Sequence, residues 1–463
     1  MGFLMPIVND NSRNIKQMPM IFNGINRNEM TSEHEWFDNE NIDTVNAPSI
    51  GPRENIGMVY DFKGKVSGFL SYDNACFFTL DLGDKTRVGM FLYEDKKTVY
   101  KDISKPSREC KLILFNRHLL IFPICCAFKL VYEDEKVHSL RANLGDEIDF
   151  SDKKYKSLSY ATEYNNRIFA VDDEDNIRSC ALGNFKAWSK YTGVLTDSWA
   201  SDVFSPGKFK GICTYRDHIT LMKRNITYEL FGSVPSNFTL IEAFKNGTIN
   251  DKSICEVAGM LYFVSDSGVY VYSGGTPRLI SFKLKENYKD AISFTDGKRL
   301  FVSLDNGQRK RTYVYDVDYG IWSCYSNDFY NFYGNVIYGG KSHIVLVSDD
   351  NRLYEIGKGK ERVKWSILSK VFDEKMFNKK SIKKLKFKAK MSQGTKLYFY
   401  LSLDNKPFKL FTVMSYEGYE VDSIRDFICY IPLRRCKNFR IKIVGEGKAL
   451  ISGEREFIIR SEK

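Results

Sequence analysis

Short apolar runs recur through the middle of the chain, each followed by a turn and by a second run rich in Tyr, Val and Leu. The pairs are 76–80 with 88–93, 118–122 with 127–132, 167–171 with 177–182, 218–222 with 227–232, 260–264 with 269–273, 299–303 with 312–317, and 343–347 with 353–357. Their starts are 39 to 51 residues apart, the period of a four-stranded propeller blade. The turns carry Asp172-Asp-Glu-Asp-Asn176, Ser265-Asp-Ser-Gly268, Asp305-Asn-Gly307 and Asp349-Asp-Asn351, residues that tolerate the backbone of tight hairpins. A blade has an apolar face it cannot bury alone, and stacking around a ring buries it. The pattern predicts an all-β fold: a seven-bladed β-propeller over 55–357, with Phe169, Phe263 and Phe301 at matching buried positions. Unrelated hairpins in a sandwich are the alternative, which the regular period disfavours.

Beyond Gly357 the texture changes. Lys alternates with apolar residues from Lys383 to Lys390, and 396–403 and 439–444 alternate similarly, as half-buried strands do. A C-terminal β-sandwich-like domain is expected over 358–463, with 373–383 as the one helix candidate. Residues 1–54 show no strong period and read as an extended N-terminal arm that wraps its own propeller or reaches a neighbour. A ring complete by Gly357 is expected to survive truncation there.

Composition sharpens this. Aromatics form 14% of the 463 residues, with 34 Phe and 28 Tyr, and such side chains favour strands. Of the net charge of +11, a surplus of 10 lies between Gly357 and Lys390, where 13 residues are basic and 3 acidic. A nearly neutral remainder argues against a general nucleic-acid surface. The ten cysteines contain no CxxC pair and read as reduced, mostly buried thiols. Neither a signal-peptide pattern nor an apolar run of the ~20 residues a membrane span needs is visible, so a soluble, cytoplasmically made chain is expected. In such a chain Asn225, Asn237 and Asn246 match glycan acceptor sites by chance.

Candidate chemistry is thin. His118, His218 and His343 open equivalent strands and suggest a metal site around the ring, against the plain reading of polar strand starts. Asp172, Asp173, Asp266, Asp305 and Asp349 recur at equivalent turns, where propeller glycosidases hold acid/base pairs, against the plain reading that Asp suits a hairpin. Ser303-Leu-Asp-Asn-Gly307 approaches the Asp-box of sialidases, but Lys310 stands where that motif has Trp. No GxxxxGK[ST], GxSxG or HExxH motif occurs. The expectation is a protein that is not an enzyme, with no cofactor and no metal. Lys383, Lys384, Lys386 and Lys388 are the candidate interaction residues, facing an acidic surface of a neighbouring subunit. The other readings of this run are nucleic-acid contact and protection of a sheet edge. Trp188, Trp199 and Trp322 are the candidate platforms for a carbohydrate.

Three segments carry a family resemblance. Phe22-Asn-Gly-Ile-Asn26 leads to Pro48-Ser-Ile-Gly-Pro-Arg53. Asn165-Asn-Arg-Ile-Phe-Ala-Val171 precedes Ile177-Arg-Ser-Cys-Ala-Leu-Gly-Asn-Phe185 and Trp188. Ile431-Pro-Leu-Arg-Arg-Cys436 precedes Phe439-Arg-Ile-Lys-Ile-Val-Gly-Glu-Gly447. Together they resemble β-propeller virion proteins of tailed phages and prophages of Firmicutes, similar to the tail accessory (stabilisation) proteins of short-tailed phages. The resemblance implies a structural virion protein, part of a ring or collar at the head–tail junction, tail or baseplate. Its partners would be copies of itself and other virion structural proteins, with assembly in the bacterial host cytoplasm. It implies no catalytic residue. Pro123-Ile-Cys-Cys126 and Gly183-Asn-Phe185 depart from the group's pattern. The alternatives are a carbohydrate- or receptor-binding propeller of a tail tip and a propeller glycosidase.

Overall fold

The computed structural model describes residues 14–28, 34–132, 142–372, 380–418, 424–430 and 435–459. Within them the chain is all β, with two short 3-10 turns, Thr44–Asn46 and Asp251–Ser253, and no α-helix. Among the described residues no helix is long and apolar enough to cross a membrane. Seven four-stranded antiparallel sheets follow one another along 65–103, 111–149, 158–201, 211–244, 255–279, 290–326 and 330–356. The seventh has only three strands of its own, and Ile56–Asp61 from before the first sheet supplies its fourth.

First strands of successive sheets lie against one another, and Tyr330–Tyr338 of the seventh lies against Lys65–Tyr72 of the first. Between the fourth and fifth sheets the turn Asp251–Ser253 makes the contact. The succession closes on itself as a propeller-like ring, and each seam holds its own apolar cluster. Phe169, Phe263 and Phe301 are buried in three of these seams. The two-strand unit visible in the sequence is the second and third strand of every sheet. Those strands are paired on both edges and covered on both faces, so they are the most continuously apolar.

The remaining strands form two five-stranded sheets. One holds Asn14–Met20, Ala449–Ile459, Lys380–Met391 and Ile424–Tyr430 in that order, with Arg435–Cys436 also paired to Lys380–Met391. The other runs Asp38–Glu40, Lys364–Leu368, Phe439–Glu446, Thr395–Leu403, Lys409–Tyr416. They share one core: Leu385, Phe387, Ala389 and Met391 from the first meet Ile367, Leu397, Phe399, Ile441 and Ile443 from the second. Of the helix candidate, 373–379 lies outside the described residues and 380–383 is strand instead. Alternation at period two defeats a helical face there.

The segment expected as an arm supplies an edge strand to each five-stranded sheet, Asn14–Met20 to one and Asp38–Glu40 to the other. Phe22, Trp36, Ile42 and Ile50 are buried in the shared core. At Ile25 and again from Asn39 to Ile42 the segment runs along Ile321–Ser326, the fourth strand of the sixth sheet. Ile25 N–H donates to Trp322 O at 2.8 Å, Asn39 Nδ2 to Ser323 Oγ at 2.9 Å, and Ile42 N–H to Cys324 O at 3.2 Å. Arg27 anchors the crossing from a nearly buried position, paired with Asp38 at 2.7 Å and with Glu286. The sheets at the C-terminal end are thus knitted to the ring through residues 14–61.

Candidate docking surfaces

The four candidate lysines fall on Lys380–Met391, which pairs along its length with Ala449–Ile459 and over Lys384–Lys390 with Ile424–Tyr430. It is an interior strand, so the edge-protection reading does not hold. Lys386 is half-buried and Lys388 exposed. The side chains of Lys383 and Lys384 lie outside the described residues. Register places Lys384 opposite Glu456, Lys386 opposite Glu454, and Lys388 opposite Asp426 and Ser452. Opposite charges across a strand pair are mutually stabilising, so the sheet carries carboxylate positions for its own lysine row. Ile428 and Tyr430, on the same face, are 48% and 69% exposed.

The other candidates separate. His118 Nδ1 meets the Asn116 carbonyl at 2.7 Å, His218 Nε2 lies 3.2 Å from Glu229, and His343 Nδ1 lies 3.0 Å from Glu355. All three sit on second strands of different, non-adjacent sheets, away from the first strands that line the ring's inside. The turn carboxylates are absorbed by structure. Asp266 takes Arg224 of the preceding sheet in two bonds of 2.6 Å, which hold its carboxyl below the usual range. Asp349 takes Lys310 at 2.5 Å, again from the preceding sheet. Asp172 pairs with Arg178 at 2.6 Å, Asp173 accepts Lys156 N–H, and Asp305 accepts Gly307 N–H. Their recurrence reflects clasps between and within sheets. Trp188 and Trp322 are buried, which removes them as platforms. Trp199 stays partly exposed.

The segment between the third and fourth strands of the third sheet, 180–198, forms a surface that no sequence motif marked as exposed. Arg167, fully buried, donates to the carbonyls of Cys180 at 3.0 Å, Leu195 at 2.7 Å, and Asp197. Burial lowers its pKa, with no carboxylate bonded to it. The Asp197 carboxylate gathers the N–H groups of Thr192, Gly193 and Val194 and the Thr192 hydroxyl, and these bonds outweigh burial and hold it below the usual range. Trp188 wedges against Phe122 of the second sheet. This frame leaves Leu182, Tyr191, Val194 and Leu195 at 42%, 47%, 49% and 63% exposure. Beside them opens a cleft of about 420 Å³, lined by Tyr191, Leu195 and Trp199 and closed by Pro235 and Ser236 of the fourth sheet. Arg167, Phe185 and Trp188 build the frame together with Asp197.

No family model and no curated protein matches the chain. Among solved structures it is similar to a chain in the crystal structure of the mitotic checkpoint complex, at 9% identity and TM-score 0.38, over 66% of this chain and 93% of that one. It is also similar to the N-terminal domain of Nup159, at 8% identity and TM-score 0.35, over 66% of this chain and 96% of that one.

Proposed function

We propose that the chain is a non-enzymatic docking protein: a seven-bladed propeller with an attached β-sandwich, built into a virion as part of a ring or collar. Its partners in that reading are copies of itself and other structural proteins of the particle, at the head–tail junction, tail or baseplate. The observation that carries the docking role is the rigid frame of 180–198, which holds Tyr191, Val194 and Leu195 in the open. Frames of buried hydrogen bonds around exposed apolar tips suit association without reordering. The virion setting rests on the resemblance of Arg167 through Trp188 to the phage propellers. The lysine row ranks second as a contact, because Glu454, Glu456 and Asp426 stand opposite it.

The test is incorporation. Val194→Asp with Leu195→Asp changes only exposed side chains, so the chain stays folded by circular dichroism while its copy number in purified particles falls at least tenfold. Normal copy number in folded variant particles overturns the docking assignment. A second reading, glycan binding, draws on Trp199 and Tyr191 flanking the same cleft, and a glycan array separates it from protein docking.

A further inference from the structure

A second cleft, of about 560 Å³, lies where the chain enters and leaves the ring. It is lined by Asn41, Arg53 and 55–58 on one side and by 359–364 on the other. Two glycines make its floor. A Cβ on Gly57 would come within 2.8 Å of the Gly359 backbone nitrogen, and one on Gly359 within 2.8 Å of Asn55 Cβ, so only glycine allows these backbones to meet. Asn55 Nδ2 fixes the approach by donating to Gly359 O at 2.9 Å.

Four cations line this cleft, Arg53, Lys360, Arg362 and Lys364, against the single carboxylate of Glu361. Several cations elsewhere on the ring close on a carboxylate, as with Lys223–Asp175, Arg224–Asp266, Arg299–Asp43 and Lys310–Asp349. Here the polar contacts go to neutral groups. Arg53 donates to Asn41 Oδ1 and Glu54 O, and Arg362 to Gly394 O. Glu446 stands opposite Lys364 in register without closing to an ion pair. Part of the positive surplus of 357–390 therefore gathers in this cleft.

We infer that this cleft is a receptor for a carboxylate-rich peptide segment of a partner protein. Arg53 and Arg362 each keep guanidinium N–H groups free of carboxylate, and a guanidinium fork fits a carboxylate in two parallel bonds. Met58 at the rim is 57% exposed and offers apolar contact to the peptide's side-chain stems. Nucleic acid is the less suited polyanion: the lining has no aromatic residue on which a base would stack. The inference does not depend on the virion setting or on the tip at Val194 and Leu195.

Fluorescence anisotropy of a labelled deca-glutamate peptide with the full chain tests it. Binding is expected at low salt and should weaken at least tenfold between 50 and 500 mM NaCl, on the order that screening allows. Lys360→Ala/Arg362→Gln/Lys364→Ala should weaken it at least tenfold, whereas Lys386→Ala/Lys388→Ala should leave it within twofold. Lys360→Glu alone, at an exposed side chain without an ion pair, should weaken it severalfold and guards against misfolding of the triple variant. The inference is overturned if wild type fails to bind at 50 mM NaCl, or if the triple variant or Lys360→Glu, folded by circular dichroism, binds as wild type does. It is also overturned if a ten-nucleotide single-stranded DNA binds more tightly than the peptide.

Discussion

Removing the carboxylate of Glu355 should loosen the seam that closes the ring. Glu355 is 3% exposed on the third strand of the seventh sheet. It accepts the Tyr93 hydroxyl of the first sheet at 2.5 Å and the Tyr338 hydroxyl at 2.5 Å, with Lys358 Nζ at 2.9 Å and His343 Nδ1 at 3.0 Å. Hydrogen bonds to a charged partner contribute about 1.5–3 kcal/mol each. Glu355→Ala strands several donors at once, but it also relieves the burial of a charge, so the net cost is about 3–5 kcal/mol. Tyr93→Phe deletes only the bond that crosses the seam and should cost about 1.5–3 kcal/mol. The cycle of Tyr93→Phe with Glu355→Gln, followed by urea unfolding and circular dichroism, should show a coupling of about 1–3 kcal/mol. Additivity within about 0.5 kcal/mol, or a cost below about 1 kcal/mol for Glu355→Ala, would show that apolar packing alone holds the seam. Glu229 with Tyr272 at 2.6 Å and His218 repeats the arrangement between the fourth and fifth sheets, and Glu229→Ala should behave alike.

Three further outcomes follow from the same geometry. Truncation after Gly357, against the expectation from the repeat alone, should yield an aggregating chain by light scattering, because Phe22, Trp36, Ile42 and Ile50 lose the strands that cover them; a monodisperse product would mean the ring shelters them itself. Phe263→Ala should cost about 3–5 kcal/mol in urea unfolding through lost transfer energy and a cavity between the fourth and fifth sheets, and a cost under about 1 kcal/mol would show that the seam collapses to refill it. For pH, burial alone would raise the Glu355 carboxyl, but the bonds from Tyr338, Tyr93 and Lys358 win and hold it below its ordinary value. A carboxyl lowered in the folded state contributes stability above its unfolded pKa and loses it as pH falls through the folded one. Thermal midpoints should therefore drop below about pH 4.5, less steeply in Glu355→Gln, and parallel curves would remove Glu355 from the account.

Legibility in the sequence followed burial. The second and third strands of the sheets, such as 260–264 and 269–272, are apolar on both faces and stood out. First and fourth strands are mixed, as in Leu158–Tyr164 and Lys97–Ile103, and their pairing is set by neighbours that no local pattern names. Asn14–Met20 was unreadable as a strand because it contains Pro19 and pairs with residues at the far end of the chain; an edge position tolerates that proline. The lysine alternation at 383–390 announced a strand, yet the acidic positions paired with it in register, Glu454 and Glu456, lie some seventy residues on. The framing role of Arg167 had no cue in the sequence, since its partners are backbone carbonyls, which every residue carries. The basic cleft was half visible: its charges lie inside the basic segment, but Arg53 comes from the other side of the ring in sequence.

The knitting of first and last strands sets a timetable for synthesis. Asn14–Met20 leaves the ribosome long before Ala449–Ile459, with which it pairs. At ~5–20 residues per second this wait is roughly 20–90 s. Ile56–Asp61 waits about two-thirds as long for Arg352–Ile356 before the ring can close. Through that interval Phe22, Trp36, Ile42 and Ile50 remain without their final cover. A nascent chain of this kind needs either a holding chaperone or a temporary internal refuge. A ribosome stalled before Ala449 would hold a chain in which Asn14–Met20 has no partner strand to join.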